Sequence, residues 1–106
     1  MIICKPNVRF KRLLPQIYSL FAKLDAMFTT YGLDCVITSG NDSTHKTGSL
    51  HYADLAIDLR SKHVPEEDKD AALEQLRAIC GPDYDVLLEH RGGEQEHFHV
   101  EYDKDA

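Results

Sequence analysis

Two places in the sequence bring imidazoles and carboxylates into apolar surroundings. Ser49-Leu50-His51 is followed, seven residues after the His, by Asp58 inside the run Leu55-Ala56-Ile57-Asp58-Leu59. Near the C-terminus, Glu96-His97-Phe98-His99-Val100-Glu101 alternates polar and apolar residues and sets a Glu three residues before the second His. Imidazole nitrogens combined with a carboxylate oxygen suit zinc, whose catalytic sites use three protein ligands and keep a fourth position open for water. The best-spaced set is His51, Asp58 and His99, with Glu96 beside the open position. Zinc is therefore the expected cofactor. The competing reading is an ordinary polar strand face that happens to carry histidines, because clustered polar groups point to a site only probabilistically.

These residues need elements to hold them. The run 55–59 reads as a strand, and an Asp within it is costly to bury unless paired or metal-bound. Alternation along a strand puts Ala56 and Asp58 on one face and Leu55, Ile57 and Leu59 on the other. In 96–102 the same alternation groups His97, His99 and Glu101 against Phe98, Val100 and Tyr102. Two neighbouring strands would bring Asp58 to His99, with a turn returning His51 over them.

Ser49-x-His51 with Ala56-x-Asp58 resembles the first zinc motif of the D-alanyl-D-alanine carboxypeptidases and L-alanyl-D-glutamate peptidases, a family that includes phage endolysins. Glu96-x-x-His99 resembles its second motif, which supplies the catalytic Glu and the third zinc ligand. Ile37-Thr38-Ser39-Gly40 is similar to the strand leading into the first motif. His97-x-His99 is similar to the His-x-His pair of lysostaphin-type and Hedgehog-type zinc domains. The resemblance covers roughly residues 33–102. Two positions depart from it: Asp54 stands where the family usually has Gly, and Asn41-Asp42 where it commonly has an aromatic-Arg pair near the substrate. Lys46 and Arg60 are the candidates by default for that missing cation.

The resemblance implies a zinc peptidase that cuts peptide stems or cross-links of bacterial peptidoglycan near a D-amino acid. Glu96 would take a proton from the zinc-bound water and return it to the leaving amine. His97 would either donate a hydrogen bond to the oxyanion or orient a ligand from behind, and Glu89 is the rival to Glu96 as base. Two other classes stay open: a zinc-stabilised, non-catalytic binding module of Hedgehog-like fold, and a zinc dipeptidase of a substrate outside the wall.

Composition narrows the partners. At 106 residues the chain supports a single domain over 1–106 with one core. A net charge of −6 argues against nucleic acid and anionic membranes, which both call for a basic face. No run of about 20 apolar residues suggests a membrane span, and the N-terminus does not read as a signal peptide. The expectation is a monomer made in the cytoplasm that reaches the wall on phage lysis or in a virion. Cys4, Cys35 and Cys80 are widely spaced and odd in number, which fits reduced thiols.

Along the chain, residues 1–12 read as an extended segment and loop. Pro15 opens an amphipathic helix over roughly 14–31 that ends at Gly32. A strand follows at 34–38, then a loop at 39–50 containing His45, the Asp58 strand at 53–60, and a helix from Pro65 stopped by Cys80-Gly81-Pro82. A strand at 83–90, a hairpin connection at 91–94 and a return strand at 95–102 complete the chain before a frayed tail. The sum is an α+β domain: a small, mainly antiparallel sheet with helices on one face and the zinc site on the other, as in Hedgehog-type and D-Ala-D-Ala peptidase domains.

Overall fold

The computed structural model describes residues 1–10, 13–40 and 55–103. The chain forms a five-stranded sheet from β1 (Ile2–Cys4), β2 (Cys35–Ser39), β3 (Ala56–Arg60), β4 (Tyr84–Glu89) and β5 (His97–Tyr102), in the order β1-β2-β3-β5-β4. Only β1 and β2 are parallel; the other three pairings are antiparallel. The helices are a single turn, α1 (Pro15–Tyr18), then α2 (Phe21–Thr30) and α3 (Lys69–Cys80). This is the expected small α+β architecture with a mostly antiparallel sheet.

Apolar spacing decides which face of the sheet the helices cover. Leu24, Met27 and Phe28 of α2 and Ala72, Leu76 and Cys80 of α3 recur at helical steps and are buried. They pack in one cluster with Cys35, Ile37, Ile57, Leu59, Val86, Phe98 and Val100 from the sheet. Every strand residue in that cluster is on the face opposite Asp58, His97 and His99. The helix expected over 14–31 is interrupted at Ser19-Leu20, where the backbone stays helical but the Leu20 N–H bonds Ile17 O at 3.0 Å. That tighter i→i+3 bond starts a second helix at Phe21. The far end stops as expected: Gly32 takes φ +72°, its N–H reaches Thr29 O, and the Leu33 N–H reaches Phe28 O. These are the two bonds of a Schellman cap, which favours a glycine there.

One buried polar cluster fastens the helical layer to the sheet. Lys69, at the start of α3, lies 2.9 Å from both oxygens of Glu96, just before β5. Ser61, just after β3, donates to Glu96 Oε2 at 2.5 Å, and the Gly92 N–H donates to Oε1 at 3.1 Å. Ser61, Lys69 and Glu96 are all buried. Burial alone would push the Glu96 carboxyl up, but the bonds from Ser61, Lys69 and Gly92 outweigh it and bring its pKa from 4.5 down to about 2.

A carboxylate whose folded pKa lies below its unfolded value stabilises the fold above the unfolded pKa and loses that contribution on acidification. The Glu96 contribution is thus complete above pH 4.5 and fades towards pH 2. Acid unfolding followed by circular dichroism is expected to show this loss, and Glu96→Gln to flatten it. The same substitution should destabilise at neutral pH by somewhat less than the roughly 3–5 kcal/mol typical of stripping a buried charge of its partner. Lys69 would still keep Glu66 at 3.1 Å. An unchanged acid profile in Glu96→Gln would show that the cluster does not hold the layers together.

Candidate metal centre

The site is built by register. Antiparallel pairing sets Asp58 opposite His99, Arg60 opposite His97 and Ala56 opposite Glu101. On the other side of β5, Glu89 faces His97 and Leu87 faces His99. With side chains alternating along each strand, Asp58, His97, His99, Glu101 and Glu89 share the face turned away from the helices. Between Ile37 and Ser39 the β2–β3 register shifts, so that Ser39 comes opposite Asp58. A bulge of this kind re-aims side chains next to a site.

The ring nitrogens of the two histidines have distinct surroundings. His99 Nδ1 lies 2.7 Å from Asp58 Oδ1, and its Nε2 lies 2.8 Å from Glu101 Oε1. His97 Nδ1 lies 2.7 Å from the Gln95 carbonyl oxygen, which only accepts, so this nitrogen carries the proton. That leaves His97 Nε2 facing the carboxylates, 3.0 Å from Glu89 and 3.7 Å from Asp58. Burial would push the His99 imidazolium pKa down, but Asp58 and then Glu101 outweigh it and raise it to about 9.

Donor atoms of Asp58, His97 and His99 all lie within 4.8 Å of one another. One carboxylate oxygen and two imidazole nitrogens are a donor set that fits zinc. In each histidine the nitrogen turned away from the cluster is held by an outer acceptor, Gln95 O for His97 and the Glu101 carboxylate for His99. Such outer acceptors commonly fix the tautomer and ring orientation of metal-binding histidines. The chain therefore has a residue group able to hold a metal ion.

Against the sequence expectations, the structure brings Asp58 and His99 together. His97 joins them as a third donor, a place that strand alternation allowed but did not single out. His51, the other expected ligand, lies outside the described residues, as do His45 and Lys46. Glu96 is placed otherwise than its motif suggested: its hydrogen bonds run to Ser61, Lys69 and Gly92. A carboxylate held as an anion with a pKa of about 2 is a weak proton acceptor. Glu89, the rival, is on the metal face with its side chain 38% exposed. His63 is elsewhere, stacked on Phe28 with its Nε2–H donated to Asp34 O at 2.8 Å. Glu101 was the residue whose role the sequence left unread; its place two positions after His99 on one strand face was the available signal.

A second group of carboxylates, Asp85, Glu101 and Asp103, is also close together but contains no imidazole. No helix among the described residues is long and apolar enough to cross a membrane. Comparison with protein-family models, with curated proteins and with solved structures finds no match. The likeness to the zinc peptidases therefore stands on the motif residues themselves.

Metal binding needs an unprotonated His99 Nδ1, which carries a proton up to about pH 9 in the metal-free protein. Zinc titration at pH 7 is expected to release about one proton per ion from this histidine. Affinity should rise with pH until His99 has lost its proton. Calorimetry in buffers of different ionisation heat measures the release. Zinc binding with no proton released would exclude His99 as a ligand.

Proposed function

We propose that this protein is a zinc-dependent peptidase of the peptide stems or cross-links of bacterial peptidoglycan. The observation that carries the reading is the Asp58–His97–His99 donor group on the sheet face turned away from the helices. It is supported by the Ser49-x-His51…Asp58 and Glu96-x-x-His99 motifs. When bound, zinc supplies Lewis acidity and brings the pKa of water near neutrality.

The chain's own residues then have separable tasks. Asp58, His97 and His99 hold the ion, and Gln95 O and Glu101 fix the two rings. Glu89 accepts the proton of the attacking water and delivers it to the leaving amine, because its carboxylate is partly exposed, faces His97 and carries no Lys partner among the described residues. Glu96 acts as the buried counter-ion of Lys69 and keeps the start of β5 in place. Localisation follows from the substrate: the protein acts at the cell wall, in phage lysis or from a virion.

A second reading, a zinc-stabilised binding module without chemistry, draws on the sequestered Glu96 and on Asn41-Asp42 standing where the family commonly has Arg. Mass spectrometry of digested sacculi separates the two. Zinc-loaded wild type should create new amine termini in stem peptides, and metal-stripped protein should not. Glu89→Gln should keep its zinc and its fold but lose roughly a hundredfold or more in rate. Glu96→Gln should lose stability first and, where still folded, retain most of its rate. A folded Glu96→Gln that is inactive beside an active Glu89→Gln would restore Glu96 as the base. No cleavage across several wall chemistries at full zinc occupancy would favour the binding module.

A further inference from the structure

Beside the donor group a cleft of about 390 Å³ runs along the same side of the sheet, with Asp58 and His97 in its lining. Three cations share its lining. Lys5 follows β1, Arg60 ends β3, Lys62 comes two residues later, and all three line the cleft. They are exposed, and none of the three side chains has a carboxylate or carbonyl partner among the described residues. By contrast Lys69, Arg77 and Arg91 each hold a Glu or Asp. Acidic residues outnumber basic ones by 18 to 12 in this chain, so unpaired cations gathered in one cleft are not explained by overall composition.

The negative groups lining the cleft do not cancel this charge. Glu96 is bonded to Lys69, and Asp58 is bonded to His99. Glu94 is exposed and lies in the same lining. Among the described residues of the lining, one carboxylate without a cation partner therefore faces three cations without a carboxylate partner. Register adds direction: Arg60 sits opposite His97 and shares a face with Asp58, so the first of the three cations lies directly across from a member of the donor group.

We infer that Arg60, Lys5 and Lys62 form a carboxylate subsite for an acidic peptide. The peptide is held by a free carboxylate while the adjoining amide lies over Asp58 and His97. Arg60 is the central residue, since a guanidinium can take a carboxylate through two parallel N–H bonds. Lys5 and Lys62 add charge from either side and concentrate anionic substrate in the cleft. The subsite rests on the peptidase reading for the bond that is cut, but not for the anion that is bound. The carboxylate has two possible sources in a stem peptide, the C-terminus or the free carboxyl of an internal glutamyl residue.

The test uses zinc-loaded protein and three synthetic stem peptides: the free acid, its C-terminal amide, and the same peptide with the internal glutamyl carboxyl amidated. Removing a charged hydrogen-bonding partner should raise KM, or Kd measured calorimetrically with Glu89→Gln, roughly 10- to 100-fold. One of the two amides should show this loss and so identify the carboxylate that is read. Arg60→Gln should weaken the free acid to the level of that amide, so that the two peptides bind alike. Lys5→Ala combined with Lys62→Ala should give a smaller loss and a shallower salt dependence. Equal binding of all three peptides to wild type, or undiminished discrimination in a folded Arg60→Gln, would overturn the subsite. Discrimination without any cleavage would support it and count against the peptidase reading. Cleavage without discrimination would do the reverse.

Discussion

The antiparallel register of β3 and β5 is the constraint on which the rest depends. Five consecutive pairs, from Ala56↔Glu101 to Arg60↔His97, fix it. On the covered face, Ile57, Leu59, Phe98 and Val100 have no exposed surface. On the other face the same pairs bring Asp58 to His99. A slip of one residue would turn each strand's side chains over. It would expose apolar side chains whose burial is worth about 1.5–3 kcal/mol apiece. The hydrophobic core thus holds a polar site that could not assemble itself, since the same pairing sets both faces.

Electrostatics on the face turned away from the helices suits a cation. Asp58, Glu89 and Glu101 crowd around two imidazoles, and in the metal-free protein Asp58 and Glu101 raise the His99 pKa to about 9. A divalent ion at the same place would replace that proton and meet the carboxylates with more charge. Glu96 belongs to a different balance. It is sequestered with Lys69 and Ser61, where its charge fastens α3 to the sheet edge of the site. Two carboxylates seven residues apart, Glu89 and Glu96, are thereby separated into a partly exposed group beside His97 and a buried counter-ion.

Much of this was legible from short-range patterns. Period-two alternation gave the faces of both site strands and the meeting of Asp58 with His99. Helical spacing and Gly32 gave the end of α2, because the glycine cap is a local matter. What could not be read depended on distant partners. Nothing near Glu96 announces Lys69 or Ser61, which lie 27 and 35 positions away, so its motif suggested a base where the fold makes an ion pair. Alternation put His97 on the site face but said nothing of Gln95 O, whose bond to Nδ1 turns Nε2 towards the carboxylates. The break at Ser19-Leu20 also escaped, since neither residue forbids a helix and both keep helical angles. His51 lies outside the described residues, so its part in the ligand set rests on the sequence.

Metal content bears most directly on the central claim that Asp58 and His99 form the heart of a metal centre. Protein purified without chelator should carry about one zinc per chain. Asp58→Asn and His99→Ala, checked for fold by circular dichroism, should lose most of it, because each removes a donor that the β3–β5 register brings to the ion. His97→Ala should lose a substantial share as well. Wild-type occupancy in a folded His99→Ala or Asp58→Asn protein would contradict the claim and reduce the cluster to an ion pair on a polar strand face.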